Sequence, residues 1–460
     1  MTPAFADASP AARPLYVVAP DDLAQFLASQ PGPVQAWLAA QGFDAALGDL
    51  RLIPGDAGVA AAVIGHGTPQ TRARQRFALA KAATTLPAGA WALTGTLTQP
   101  QRDEAALGWL LAQYRFNRYR PGKSDPAPAQ LVLPQGCDAA RLLAMAEAEY
   151  LTRDLINTPA ADLGPDELEQ AFRALATRFG ATIRVITGDD LLTQNFPMIH
   201  AVGRASPRAP RVMDLTWGST GPSLTLVGKG VCFDTGGLNI KTSGMTLMKK
   251  DMGGAATVMG AAQMIMQLGL PIRLRVIVAA VENVIAGNAL KPKDILTSRK
   301  GLTVEVNDTD AEGRLILADA LAWAGEAPTD ALISMATLTG AARTALGPDL
   351  APYYTDDAGM AAALESGAIA SFDPVWRMPF HTPYDAIIEP GIADLDNAPG
   401  WGFAGSVTAA LFLRRFADHP RYMHFDIYGH TPSDLPARPK GGVGQGARAI
   451  LAGLPAMLGL

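Results

Sequence analysis

Residues 223–282 read "SLTLVGKGVCFDTGGLNIKTSGMTLMKKDMGGAATVMGAAQMIMQLGLPIRLRVIVAAVE", and the order of patterns inside them decides the fold. "SLTLVGKG" is a short apolar run of buried-strand type, and "IRLRVIVAAVE" is a second one rich in β-branched residues. Between them lie a loop of Gly, Lys and Asp and then "GGAATVMGAAQMIMQLG", which has the length and content of a buried helix. Strand, helix, strand is the crossover that joins parallel neighbours in a sheet, because parallel strands cannot be linked by a tight turn.

The alternation continues in both directions. Downstream come the helix "GRLILADALAWAG", the strands "DALISMATL" and "YMHFDIYG", and the helix "ARAILAGLPAML". Upstream, "PLYVVAP", "AAVIGHG", "GAWALTG" and "QLVLPQG" read as strands, with "RQRFALAKAATTL" and "RDEAALGWLLAQYRF" as helices between them. The expected architecture is α/β, with a smaller N-terminal α/β domain over residues 1–130. That domain ends in the Pro-rich linker "RYRPGKSDPAPAQ" (Arg118–Gln130). Residues 131–460 then form a larger domain, opened by the helix "DAARLLAMAEAEYLTRDLI", with a mostly parallel central sheet flanked by helices.

Bulk properties exclude several classes. A chain of 460 residues with 48% hydrophobic and 18% charged residues is an ordinary globular protein of more than one domain. A net charge of −5 favours neither nucleic acid nor an anionic membrane as partner. The start has no basic and apolar leader pattern, and no window is apolar enough to span a bilayer, so a cytoplasmic protein without a membrane partner is expected. Cys137 and Cys232 are too few for a disulfide framework or a thiolate metal site, and Cys232 in "VCF" reads as a small buried residue. Among the histidines there is no HxH or HExxH pair, and neither a GxSxG elbow nor a phosphate loop is present.

Chemistry should be sought in the loops after the strands, since ligands of open α/β sheets bind beyond the strands' carboxyl ends. The loop within 223–282 carries Lys229, Asp234, Lys241 and Asp251, and "EVNDTDAEGRL" carries Asp308, Asp310, Glu312 and Arg314. Capping is the plain structural reading: Asp251 as a helix N-cap, and the later acids at a helix N-terminus. In an extended backbone Asp310 and Glu312 would share one side. Capping accounts for one acid per helix, not for Asp234, Asp251, Asp310 and Glu312 on neighbouring loops of one sheet. Like charges so close need cations among them, and clustered carboxylates suit divalent metals. Two metals bridged by shared carboxylates would serve hydrolysis, with a phosphoesterase or a peptidase both open at this point.

"GKGVCFDTGGLNIK", "MKKDMGGAATVMGA", "NDTDAEGRLILADAL" and "ATLTGA" together resemble the leucyl (cytosol) aminopeptidase family of di-metal exopeptidases, in order and in approximate spacing. "RDLINTPAADLGP" and "RPKGGVGQGAR" extend the resemblance from about Arg153 to the C-terminus. The resemblance implies removal of the N-terminal amino acid from peptides by a metal-activated water. It implies one metal on Lys229, Asp234, Asp251 and Glu312, and another on Asp234, Asp310 and Glu312, with Asp234 and Glu312 bridging. It makes Lys241 the catalytic lysine at the oxyanion and Arg314 the anchor of a bicarbonate proton shuttle. It carries the pocket for the first side chain onto Met248, Asp308, Thr337, Leu338 and Gly340. Manganese, zinc or magnesium would fill the metal sites, peptides would be the partners, and the assembly would be a homohexamer. Two features depart from the family: the segment from Lys241 to Asp251 is one residue shorter, and Asp308 stands where Asn is usual. Through Asp308, N-terminal Lys or Arg would be accepted more readily than Asp or Glu, unless its own loop's amides satisfy the carboxylate. The arginines at 72, 74 and 76 and at 115, 118 and 120 raise DNA binding, as in some regulators of the family, but nearby acids balance them and nucleic acid is not expected.

Overall fold

Val227 and Val231 project to one face of a strand and Gly228 to the other, and the two faces are covered by different helices. This strand is the centre of a computed structural model that describes residues 2–9, 11–56, 58–120 and 127–460. Residues 121–126 of the expected linker lie outside the described residues.

The chain forms two units, Met1–Tyr150 with Ser433–Lys440, and Leu151–Pro432 with Gly441–Leu460. The first contains strands β1 (Arg13–Val18), β2 (Leu50–Gly55), β3 (Gly58–Gly65), β4 (Gly89–Thr94) and β5 (Ala129–Leu131) in the order β2-β3-β1-β4-β5. Among the described residues of this sheet only the β2–β3 pair is antiparallel. The helix expected over 74–86 is shorter than its sequence pattern. Phe77 takes φ 59° and its amide donates to the Glu104 carboxylate (2.6 Å), so α-helix begins only at Lys81.

The second unit holds β6 (Thr182–Thr187), β7 (Arg211–Trp217), β8 (Ser223–Asp234), β9 (Arg273–Asn283), β10 (Ile295–Thr297), β11 (Thr303–Glu305), β12 (Ala331–Ala336), β13 (Ala351–Thr355), β14 (Val375–Met378), β15 (Leu395–Asp396) and β16 (Tyr422–Asp426). Eight of them form one sheet in the order β14-β13-β16-β12-β8-β9-β7-β6, and β10-β11-β15 form a small separate sheet. The central neighbours β16, β12, β8 and β9 are all parallel, and antiparallel pairing is confined to the flanks. The expected α/β class with a parallel core and flanking helices is what the chain adopts.

Helix Gly253–Gln267 lies against the Gly228 face of β8, where a Cβ on Gly228 would come within 2.7 Å of Ala255 Cα. Helices Glu312–Gly325 and Gly405–Ala417 cover the other face and share a buried core with Val227, Val231, Ile277 and Leu332. At roughly 25 cal/mol per Å² of apolar area, such wholly buried strands and helices are what holds the sheet's carboxyl edge rigid. No helix among the described residues is long and apolar enough to cross a membrane.

Candidate metal centre

The site begins where β8 outruns one neighbour. Toward β12 its last paired residue is Gly228, opposite Met335, while toward β9 it stays paired as far as Asp234, opposite Asn283. From Lys229 onward β8 therefore has one free edge. Lys229 and Asp234 are five positions apart, which in a regular strand would put them on opposite faces. The register shifts between Val231 and Phe233, and Lys229 to Asp234 spans only Ala279 to Asn283 on β9. Cys232 is the extra residue of this bulge, and it turns Asp234 to the side of Lys229. The thiol itself is buried and free, and burial raises its pKa well above the ordinary value, so it is no nucleophile.

Four loops converge here, each after a parallel strand or at the head of a helix. Lys229 is 3% exposed, and its Nζ lies 2.9 Å from Asp251 Oδ2 and 3.0 Å from Glu312 Oε1 and donates to the Thr337 carbonyl at 3.0 Å. Lys241 Nζ lies 2.7 Å from Asp234 Oδ2 and 2.5 Å from Asp310 Oδ1. Two ammonium groups are thus interleaved with four carboxylates. One oxygen each from Asp234, Asp310 and Glu312 sit within 4.8 Å of one another. Burial works against charge on Lys229, but Asp251, Glu312 and Asp234 outweigh it and hold the ammonium above the ordinary lysine range. The same contest, with Asp234 the main attraction, raises Lys241. Burial and then the Asp234 charge push Asp310 to about 7 and Glu312 to about 8.

Several local expectations are corrected. Asp251 is not a helix N-cap: Met252 holds that position, and Asp251 ends the turn Met245–Lys250. Nor is the backbone extended between Asp310 and Glu312, since Glu312 is the first residue of its helix. Gly313 behind it is obligatory in this packing, because a Cβ there would lie 2.5 Å from Lys229 Cε and 2.6 Å from Nζ. Asp308 Oδ1 accepts the Asp310 amide in its own loop (2.8 Å), so the carboxylate is already engaged by backbone.

A layer of amides, unremarked in the sequence, holds the acids. Asn283 Nδ2 donates to Asp234 Oδ1 (2.8 Å) and to the Thr309 carbonyl (3.0 Å), and the Gly236 amide adds a 2.9 Å bond to the same oxygen. Asn397 receives the amides of Asn307 and Asp308 on Oδ1 and donates to the carbonyls of Asp308 and Ala311. Asn283 stands at the carboxyl end of a strand, which was the one signal that could have found it. Asn397 lies in an irregular segment with no such signal. Thr337 donates to Asp251 Oδ1 (3.0 Å), Leu338 gives its amide to Asp426 (3.2 Å), Gly340 is exposed at a helix start, and Met248 is half-buried. Arg314 is buried, its Nη1 donates to the Asn397 carbonyl (2.5 Å), and burial lowers its pKa.

The donor set fits divalent cations. Two lysines leave two of the four negative charges uncompensated, and among the described residues Glu312 Oε2 is buried without any partner. Asp251 Oδ2, Asp310 Oδ1 and Glu312 Oε1 meet ammonium at ion-pair distance but without hydrogen-bond geometry. Buried carboxylate oxygens so arranged are costly unless a cation collects them. In the basic clusters Arg72 donates to the carbonyls of His66 and Gly67, and Arg115 to those of Ala112 and Tyr114.

Residues 150–451 match the model of the cytosol aminopeptidase family, catalytic domain, and residues 13–134 match that of the M17 aminopeptidase N-terminal domain. A probable cytosol aminopeptidase of Thermosynechococcus vestitus is 42% identical over 341 residues, covering 70% of this chain and 68% of that relative. The crystal structure of a cytosol aminopeptidase from Coxiella burnetii superposes with a TM-score of 0.92 at 41% identity, covering 98% of both chains. The bottromycin maturation enzyme BotP, solved in complex with Mn, gives 0.87 at 30% identity over 97% of this chain and 99% of its own. With both domain models matched and the acids and lysines of their motifs gathered at one sheet edge, the chain belongs to the cytosol aminopeptidase family, hydrolases that act metal-dependently at the N-terminus of peptides.

Proposed function

We propose that this chain removes the N-terminal amino acid from peptides using a carboxylate-bridged pair of divalent ions. Lys229, Asp234, Asp251, Asp310 and Glu312 would hold the pair, with Asp234 and Glu312 shared. The observation that carries the reading is the interleaving of buried Lys229 and half-buried Lys241 with four carboxylates, one of whose oxygens, Glu312 Oε2, has no partner among the described residues. When bound, such ions polarise the scissile carbonyl and lower the pKa of the attacking water. Lys229 would have to give up its proton to solvent to act as a ligand, since the carboxylates beside it at 2.9 and 3.0 Å would themselves be engaged by the ions. Lys241, once released from Asp234 and Asp310, is the donor placed to stabilise negative charge developing on the carbonyl oxygen. Arg314 keeps Nε buried and without a hydrogen-bond partner among the described residues, which suits an anchored anion such as bicarbonate.

Met248, Asp308, Thr337, Leu338 and Gly340 would line the pocket for the first side chain. The Mn in the BotP structure supports manganese, with zinc and magnesium as the other fitting ions. A hexamer in the cytoplasm is proposed from the family resemblance. The test is hydrolysis of an aminoacyl-amide series by purified protein, stripped of metal and then restored with each ion, beside a phosphoester control. Metal-dependent release of the amino acid is expected. Cleavage of the phosphoester alone would overturn the reading.

A further inference from the structure

Lys250 is the buried cation that the chemistry above leaves unused. It closes the turn Met245–Lys250 and is 7% exposed. Among the described residues its Nζ has no hydrogen-bond or ion-pair partner, and it lies 5.0 Å from the centroid of the Tyr428 ring. Arg343, exposed on helix Gly340–Leu346, brings its guanidinium carbon to 5.2 Å from the same centroid. It too has no anionic partner among the described residues. Half-buried Tyr428 thus links a buried ammonium to a guanidinium at the surface.

Two cations do not gather on one ring by mutual attraction. A cation–π contact is worth about 0.5–2 kcal/mol, whereas taking an ammonium out of water costs several. The arrangement lacks an anion. Its surroundings say where that anion comes from. Lys250 follows Met248 by two residues, and Arg343 follows Gly340 by three. A Cβ on Gly340 would meet Arg343 Nη2 at 3.8 Å. Met248 and Gly340 belong to the pocket proposed above for the first side chain. Asp308, the acid that pointed to basic substrates, has its Oδ1 bonded to the Asp310 amide.

We propose that Lys250, Arg343 and the Tyr428 ring form a carboxylate-accepting end of that pocket, selecting peptides that begin with glutamate or aspartate. The inference rests on the aminopeptidase reading and deepens it. The substrate carboxylate takes charge-assisted bonds from the guanidinium and the ammonium, which a neutral isostere cannot match.

The test compares kcat/KM for Glu, Gln and Leu aminoacyl amides in the metal-loaded wild type, Lys250→Met and Arg343→Gln. The readout is the Glu-to-Gln ratio within each protein, which cancels any general loss of turnover. The wild type should favour Glu over Gln by about tenfold or more, and each variant should bring the ratio down toward one. Arg343 is exposed, so Arg343→Gln decides the matter even if Lys250→Met does not fold. An unchanged ratio in Arg343→Gln, or a wild type that favours Gln, overturns the proposal while Leu hydrolysis leaves the enzyme reading standing. Loss of all amide hydrolysis in the wild type would instead sink the enzyme reading. A last arm compares Leu-Gly with its C-terminal amide. If the cations act only on the free dipeptide's terminal carboxylate, the side-chain assignment is wrong.

Discussion

Gly313→Ala should disable the site without touching a charged residue. Alanine is preferred over glycine within helices, by about 1 kcal/mol in the interior and by less in the first turn where Gly313 stands, so local propensity mildly favours the change. The packing opposes it. The new methyl would lie 2.5 Å from Lys229 Cε, 2.6 Å from Nζ and 2.8 Å from Cδ, all inside a site only 3% exposed at that lysine. Ordinary carbon contacts begin near 3.5 Å, so the end of the side chain must withdraw by about 1 Å. It cannot do so and keep its 2.9–3.0 Å contacts with Asp251, Glu312 and the Thr337 carbonyl. A misplacement of about 1 Å in a catalytic constellation costs on the order of a hundredfold in rate. Overpacking costs about 1–3 kcal/mol, partly offset by the helix preference, so the melting temperature should fall by only a few degrees. Steady-state hydrolysis of Leu-amide, elemental analysis and calorimetry on the same preparation provide the readings. Activity within threefold of wild type at full metal content would refute the packing argument.

Asp234→Asn or Glu312→Gln should abolish hydrolysis and lower bound metal while leaving the far-UV spectrum intact, and full occupancy of both ions in either variant would end the bridging assignment. Lys241→Ala should lose about a hundred- to a thousandfold in turnover with metals retained; metal loss in that variant would move the lysine from chemistry to ligation. Arg314→Ala should show a milder loss, partly restored by added bicarbonate, and no response to bicarbonate would remove the anion from its role. Burial, aided by Arg72 and opposed by Asp22, brings His66 down to about 4. A lowered histidine pKa means the unfolded chain binds the extra proton, so the stability it contributes is present above about 6.5 and is lost as pH falls toward 4. Denaturation midpoints of wild type should therefore drop more on acidification than those of His66→Gln, and parallel curves would refute the assignment.

Much of the second unit was legible because its signals are local. Buried strands and helices alternate in unbroken apolar runs, and the acids and lysines stand immediately after them. What stayed hidden depends on pairing between distant segments. Nothing in "VGKGVCFD" marks Cys232 as a bulge, because a bulge is defined against β9 and not within β8. Phe77 sits in a helical pattern, yet Glu104, far along the chain, captures its amide and turns it left-handed. Asp308 carried a unit of charge that invited a role in recognition, and its loop had already spent that charge on a backbone amide. Lys250 carries no signal in the sequence, since a sequence shows neither burial nor the ring beneath an ammonium.

The bulge at Cys232 makes the spacing between Lys229 and Asp234 a matter of counting. Any small residue could occupy position 232, since the thiol makes only a weak 3.6 Å contact with its own loop's carbonyl at Gly230. A deletion there would remove the bulge, restore the two-residue period and leave Asp234 four positions from Lys229 on the same side, whereas one further inserted residue would swing it through the sheet to the opposite face. Along this strand drift in chemistry is cheap, and a gain in length is fatal.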